Sequence, residues 1–134
     1  MYNTLRPAVG RPLVLVDWTN LHPFQQLIFS FPRDGRSLPF LCITIRKSSA
    51  DDQTKGRMIA AEQQALEMLE RFCPPDVHPI IIADRGFGHP RWLKDIQKRG
   101  WCFLQQLSHI HQVCVEQHMG TLKELGIRRG RCVL

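Results

Sequence analysis

Two short apolar runs, in PLVLVDW (12–18) and HPIIIAD (78–84), each break at an aspartate, Asp17 and Asp84, and a long helical period lies between them. Few folds accommodate this pattern. A continuous run rich in Val, Ile and Leu is expected of a strand covered on both faces. Two such strands joined through a helix lie parallel, with a right-handed crossover. Their carboxyl ends then meet the same edge of one sheet, the place where open α/β sheets bind ligands.

The rest of the pattern fills in the sheet. QQLIFSF (25–31) and SLPFLCITI (37–45) are rich in Phe, Ile, Leu and Thr, and PRDGR between them supplies a turn, which predicts a hairpin. From about Thr54 to Cys73, Met58, Ala61, Ala65, Met68, Leu69 and Phe72 follow the spacing of one helix face, and Pro74-Pro75 stops the run. After HPIIIAD, a short helix is expected with Pro90 near its start and Trp92, Leu93 and Ile96 inward. Lys98, Arg99 and Gly100 close it, and WCFLQQL (101–107) reads as a further strand. The predicted fold is α/β: a mixed sheet of an antiparallel three-strand meander plus parallel strands reached through crossover helices.

At 134 residues the chain has room for one domain with a real core. Eighteen Lys and Arg against twelve Asp and Glu leave a formal net charge of +6 spread along the sequence, which favours a polyanionic partner such as nucleic acid. The N-terminus has only a four-residue apolar run, too short for a signal sequence, and no stretch approaches a membrane span. A cytoplasmic location without membrane contact is expected. The five cysteines show no CxxC pair and read as reduced thiols. In HIHQVCVEQH, His109 and His111 share a face if this is a strand, but Cys114 falls on the other, so a zinc site there with His118 does not close.

Asp17 and Asp84 are the candidate site. On neighbouring strands their charges would repel, and a divalent cation removes the conflict. Each motif alone has a plainer role: Asp84 can cap its own Asp-Arg-Gly turn, and Asp17 or Thr19 can serve as an N-cap. Their shared strand context favours metal binding.

The run LVLVDWTNL, followed by ADRGFGHPRWLKDIQKRGWCFLQQL, resembles the DDE transposases of bacterial insertion sequences, in the insertion-sequence-four-like group. The resemblance spans roughly residues 11–107. It implies a ribonuclease H-like catalytic domain in which Asp17 and Asp84 match the first two catalytic, metal-binding aspartates. Thr19, Arg85, Gly86 and Phe87 match the surrounding motifs without an assigned chemical step. The implied chemistry is phosphodiester cleavage and strand transfer in DNA transposition, with two Mg²⁺ or Mn²⁺ ions roughly 3.5–4 Å apart clamping the scissile phosphate. The implied partners are DNA, as transposon ends and target, and a second copy or an intact transposase; the implied setting is the bacterial nucleoid.

The chain departs from the pattern in its third acid. Family members carry a glutamate on a later helix, after a strand-rich insertion. Residues 108–134 match only the start of that insertion, and Glu116 and Glu124 do not sit in the family's Tyr, Arg, Glu, Lys pattern. Only sixteen residues precede Asp17, fewer than the family's DNA-binding segment. Residues 1–134 are therefore expected to form a single partial, C-terminally truncated catalytic domain that is inactive alone. Arg11, Arg33, Arg36, Arg46, Lys47, Arg85, Arg91, Lys94, Lys98 and Arg99 form a pool of potential phosphate contacts. Trp18, Trp92 and Trp101 read as core or sheet-covering residues. Two alternatives stand beside this reading: a non-catalytic DNA-binding or dimer-forming remnant, and a PIN-type nuclease, in which a helix follows the first strand.

Overall fold

The computed structural model describes residues 11–87, 89–106, 112–115 and 118–121. Strands β1 (Leu13–Leu21), β2 (Phe24–Arg33) and β3 (Arg36–Arg46) form an antiparallel meander. Helix α1 (Asp51–Phe72) leads to β4 (Ile80–Ala83), and helix α2 (Pro90–Lys98) leads to β5 (Cys102–Gln105). The sheet order is β3-β2-β1-β4-β5, with β4 parallel to both β1 and β5. This is the expected ribonuclease H-like mixed sheet. A hairpin follows β1, whereas the PIN alternative requires a helix at that point. Strands β6 (Gln112–Val115) and β7 (His118–Thr121) pair as a separate antiparallel ribbon.

Local chemistry accounts for each element. The β2–β3 turn is Asp34-Gly35, both with positive φ (51° and 74°), the backbone of a two-residue hairpin loop whose twist suits the flanking strands. The β1–β2 turn contains a cis peptide bond between His22 and Pro23. Strand β3 carries Pro39, and its pairing with β2 shifts register between Phe29 and Ser30, as a bulge does. Helix α1 begins at Asp51, three residues before the expected start. Asp51 and Asp52 suit the helix's positive end, while Ser48 donates from its N–H to Thr54 Oγ1 at 3.0 Å and from Oγ to Gln53 Oε1 at 2.6 Å. Helix α2 has Pro90 in its first turn and is capped by His89, whose Nδ1 accepts the Trp92 N–H at 3.2 Å. Gly100 adopts a positive φ just past its end.

Both helices pack on one face of the sheet. Ala61, Ala65, Leu66 and Leu69 from α1, with Trp92 and Ile96 from α2, join Val14, Val16, Leu27, Phe29, Leu41, Ile81 and Ala83 in a single core. Phe29 meets Trp92 edge to face, and Phe87 lies against the same indole at 5.1 Å. Helix α1 carries an apolar stripe wider than its spacing suggested, since Leu66 is fully buried, while Phe72, expected inward, is exposed in the last turn. The expectation that β1 is covered on both faces is also corrected. Among the described residues the helices cover only the face of Val14 and Val16; Leu13 is exposed and Leu15, Ile80 and Ile82 are half-buried on the other. An unbroken apolar run cannot reveal which of its faces a helix will cover.

Candidate functional site

The parallel ladder between β1 and β4 pairs Leu13 with Ile80 and ends at Val16 with Ala83. Asp17 and Asp84 are each the next residue, so the register sets them side by side where the parallel ladder stops. Asp84 follows the last residue of β4, whereas Asp17 lies in the middle of β1, which runs on to Leu21 against β2, so the expectation that Asp17 ends its strand is corrected. Alternation along β1 gives Asp17 the face of Leu13 and Leu15, and one further step from β4 gives Asp84 the face of Ile80 and Ile82. It is the same face, opposite the helices, and both aspartates are exposed.

Asp84 also has the plainer role. Its Oδ1 accepts the Gly86 N–H at 2.8 Å, and its carbonyl accepts the Phe87 N–H at 3.2 Å, closing the Arg85–Phe87 turn. Gln105 of β5 donates its side-chain amide to the same carbonyl. Capping and ligation are compatible, because the turn takes Oδ1 and leaves Oδ2. The turn explains Gly86 as well: a Cβ there would lie 3.0 Å from Asp84 Oδ1. Phe87 is a core residue, Thr19 is half-buried on β1, and the Arg85 side chain lies outside the described residues.

The donor set suits a hard cation, since carboxylate oxygens are what Mg²⁺ and Mn²⁺ take. It is incomplete: among the described residues no three His, Cys, Asp or Glu side chains come together. Glu116 and Glu124 lie outside the described residues, as do His109 and His111. Cys114 and His118 fall on β6 and β7, whose side chains at these positions are likewise not described.

A carboxylate that sequence reasoning missed lies on the other face of the sheet. Glu62 of α1 is 4% exposed; its Oε1 accepts from Trp18 Nε1 at 3.0 Å and its Oε2 meets His89 Nε2 at 2.8 Å. Two signals mark these residues. Glu62 interrupts the inward stripe between Met58 and Leu66, where a solvated charge has no place, and His89 immediately precedes the helix-starting Pro90.

The basic pool divides by environment. Arg99 is committed, with Nε 3.0 Å from Glu70, Nη1 donating to the Asp95 carbonyl and its guanidinium over Trp101. Lys94 and Lys98 are exposed four residues apart on α2, whereas Arg91, also exposed, donates from Nε and Nη2 to the Gln63 side-chain oxygen at 2.6 Å. Trp92 and Trp101 are buried and Trp18 is half-buried, so none offers a free stacking platform. Among the described residues no helix is long and apolar enough to cross a membrane. No family model, curated protein or solved structure matches the chain.

Proposed function

We propose that this domain is the catalytic core of a DDE-type transposase, built for divalent-cation-dependent cleavage and strand transfer at DNA phosphodiesters. The observation that supports the reading is the register of β1 on β4, which sets Asp17 beside Asp84 where the parallel ladder of a β3-β2-β1-β4-β5 sheet stops. In this reading Asp17 and Asp84 hold the cation, and the Gly86 N–H orients the Asp84 carboxylate. A bound Mg²⁺ or Mn²⁺ supplies Lewis-acid polarisation of the phosphoryl oxygen and activates a water or 3′-hydroxyl. Lys94 and Lys98 face solvent along α2, on the side of the sheet opposite the two aspartates, and their role is to take the DNA backbone through phosphates away from the cleaved one.

The pairing of only two carboxylates among the described residues also favours a second reading, a DNA-binding remnant without catalysis. Cation binding separates the two. The transposase reading expects weak Mn²⁺ binding by the 134-residue chain, lost in Asp17→Asn and in Asp84→Asn, with negligible nicking of supercoiled plasmid. Adding a segment that brings a third carboxylate should then produce nicking. Mn²⁺ binding that is absent in the unaltered chain, or unchanged in both variants, would leave only the DNA-binding role.

A further inference from the structure

Beyond Val16 and Ala83 the β1–β4 ladder stops, and β1 continues paired only with β2. The parallel ladder therefore does not tie Asp17 to Asp84; among the described residues, side-chain contacts of Glu62 span this gap. Its carboxylate reaches Trp18, the residue after Asp17, through one oxygen, and His89, five residues after Asp84, through the other.

The protonation pattern makes this contact specific. His89 Nδ1 accepts the Trp92 N–H, so it carries no proton, and the ring proton is on Nε2, facing Glu62. Glu62 thus meets two donors, Trp18 Nε1–H and His89 Nε2–H, and a carboxylate can accept both. An amide has one acceptor oxygen and would turn an N–H₂ against the remaining donor. Packing alone does not call for an acid here, since an apolar side chain would continue the α1 stripe of Ala61, Ala65 and Leu66.

We infer that Glu62 is a positioning residue that holds the Asp17 and Asp84 segments at a fixed spacing beyond the parallel ladder, and so sets their affinity for a divalent cation. The inference rests on the reading of Asp17 and Asp84 as cation ligands. The test uses the full 134-residue chain, Mn²⁺ titration calorimetry, thermal melting and imidazole ¹⁵N NMR on Glu62→Gln, Glu62→Met and Asp17→Asn. The expected results are an Nε2-protonated His89 in the unaltered chain, a changed His89 tautomer population in Glu62→Gln, and roughly tenfold weaker Mn²⁺ binding in both Glu62 variants. Glu62→Met should still fold cooperatively and melt only a few degrees lower, because water can reach the partly exposed His89 and Trp18 donors, and weaker Mn²⁺ binding in a chain that folds separates positioning from a purely structural role.

Mn²⁺ binding within twofold of the unaltered chain in both Glu62 variants, with Asp17→Asn defective, overturns the Glu62 inference and leaves the aspartate reading intact. Unaltered binding in Asp17→Asn overturns the aspartate reading and the inference with it. An Nδ1-protonated His89 in the unaltered chain, or failure of both Glu62 variants to fold, also overturns it.

Discussion

Replacing Gly86 with alanine should separate stability from cation binding. The new Cβ would lie 3.0 Å from Asp84 Oδ1, and ordinary contact begins at 3.4 Å, so the carboxylate must shift by a few tenths of an ångström. That movement strains the 2.8 Å bond from the Gly86 N–H. A hydrogen bond to a charged group contributes about 1.5–3 kcal/mol, but Asp84 is exposed and water replaces much of it, leaving a loss of about 1 kcal/mol. The Gly→Ala change offsets about 0.4–1 kcal/mol by restricting the unfolded chain. The net effect on stability is within about 0.5 kcal/mol, or about 1–3 °C in Tm. Cation binding has no such offset. Losing about 0.7–1.4 kcal/mol of carboxylate orientation weakens Mn²⁺ binding about 3- to 10-fold. Thermal melting by circular dichroism and Mn²⁺ calorimetry on the same preparation give both numbers. A Tm loss above about 5 °C, or an unchanged Mn²⁺ affinity in a chain whose Asp17→Asn variant has lost it, refutes the reasoning.

Other outcomes follow from the packing and charge described above. Leu66→Ala, at a fully buried position of α1, should cost about 2–5 kcal/mol in urea unfolding. A loss below about 1 kcal/mol would mean that the helix does not seat as described. Burial pushes the Cys73 thiol above its ordinary range, so less of it is thiolate at a given pH. At pH 8, iodoacetamide should label Cys73 more slowly than the exposed Cys42 and Cys102, read peptide by peptide in a mass spectrometer; its rate should climb with pH after theirs level off. Because that shift is upward, any stability linked to Cys73 is intact below its unfolded pKa and is lost as pH rises through the folded one. If Lys94 and Lys98 each contact one phosphate, duplex affinity should fall roughly 12-fold between 50 and 200 mM salt. Changing Lys94 and Lys98 together to alanine should reduce the log–log salt slope by about 2, in fluorescence anisotropy; an unchanged slope would remove α2 from the DNA surface.

Much of this architecture is legible in the chain because period and punctuation agree. The Asp34-Gly35 turn, the helix stop at Pro74-Pro75 and the start at Pro90 each have a local stereochemical cause, and each falls where the residues indicate. Asp17 and Asp84 were visible as charges ending apolar runs. Their common edge followed from the helix between them. What escaped depends on long-range packing. Leu66 and Phe72 exchange roles because the width of the inward stripe is set by the partner surface and not by spacing. The open face behind Leu13 and Leu15 was hidden for the same reason. Glu62 was overlooked because a charge on a long helix ordinarily faces water, and its two donors are 44 and 27 residues away in sequence.

The bulge and proline of β3 bear on how the molecule behaves in a crowd. Among the described residues β3 is an eleven-residue strand at the rim of the sheet, and a strand so placed is a ready template for a foreign strand and the usual seed of edge-to-edge aggregation. Here Pro39 removes one backbone donor from the strand, the shift at Phe29 and Ser30 bends the row out of line, and Arg36 and Arg46 set like charges at its two ends. The opposite rim, β5, is only four residues long. Among the described residues both borders of the sheet are thus poor nuclei for strand recruitment, and copies of the domain can be held at high concentration without zipping together through these edges.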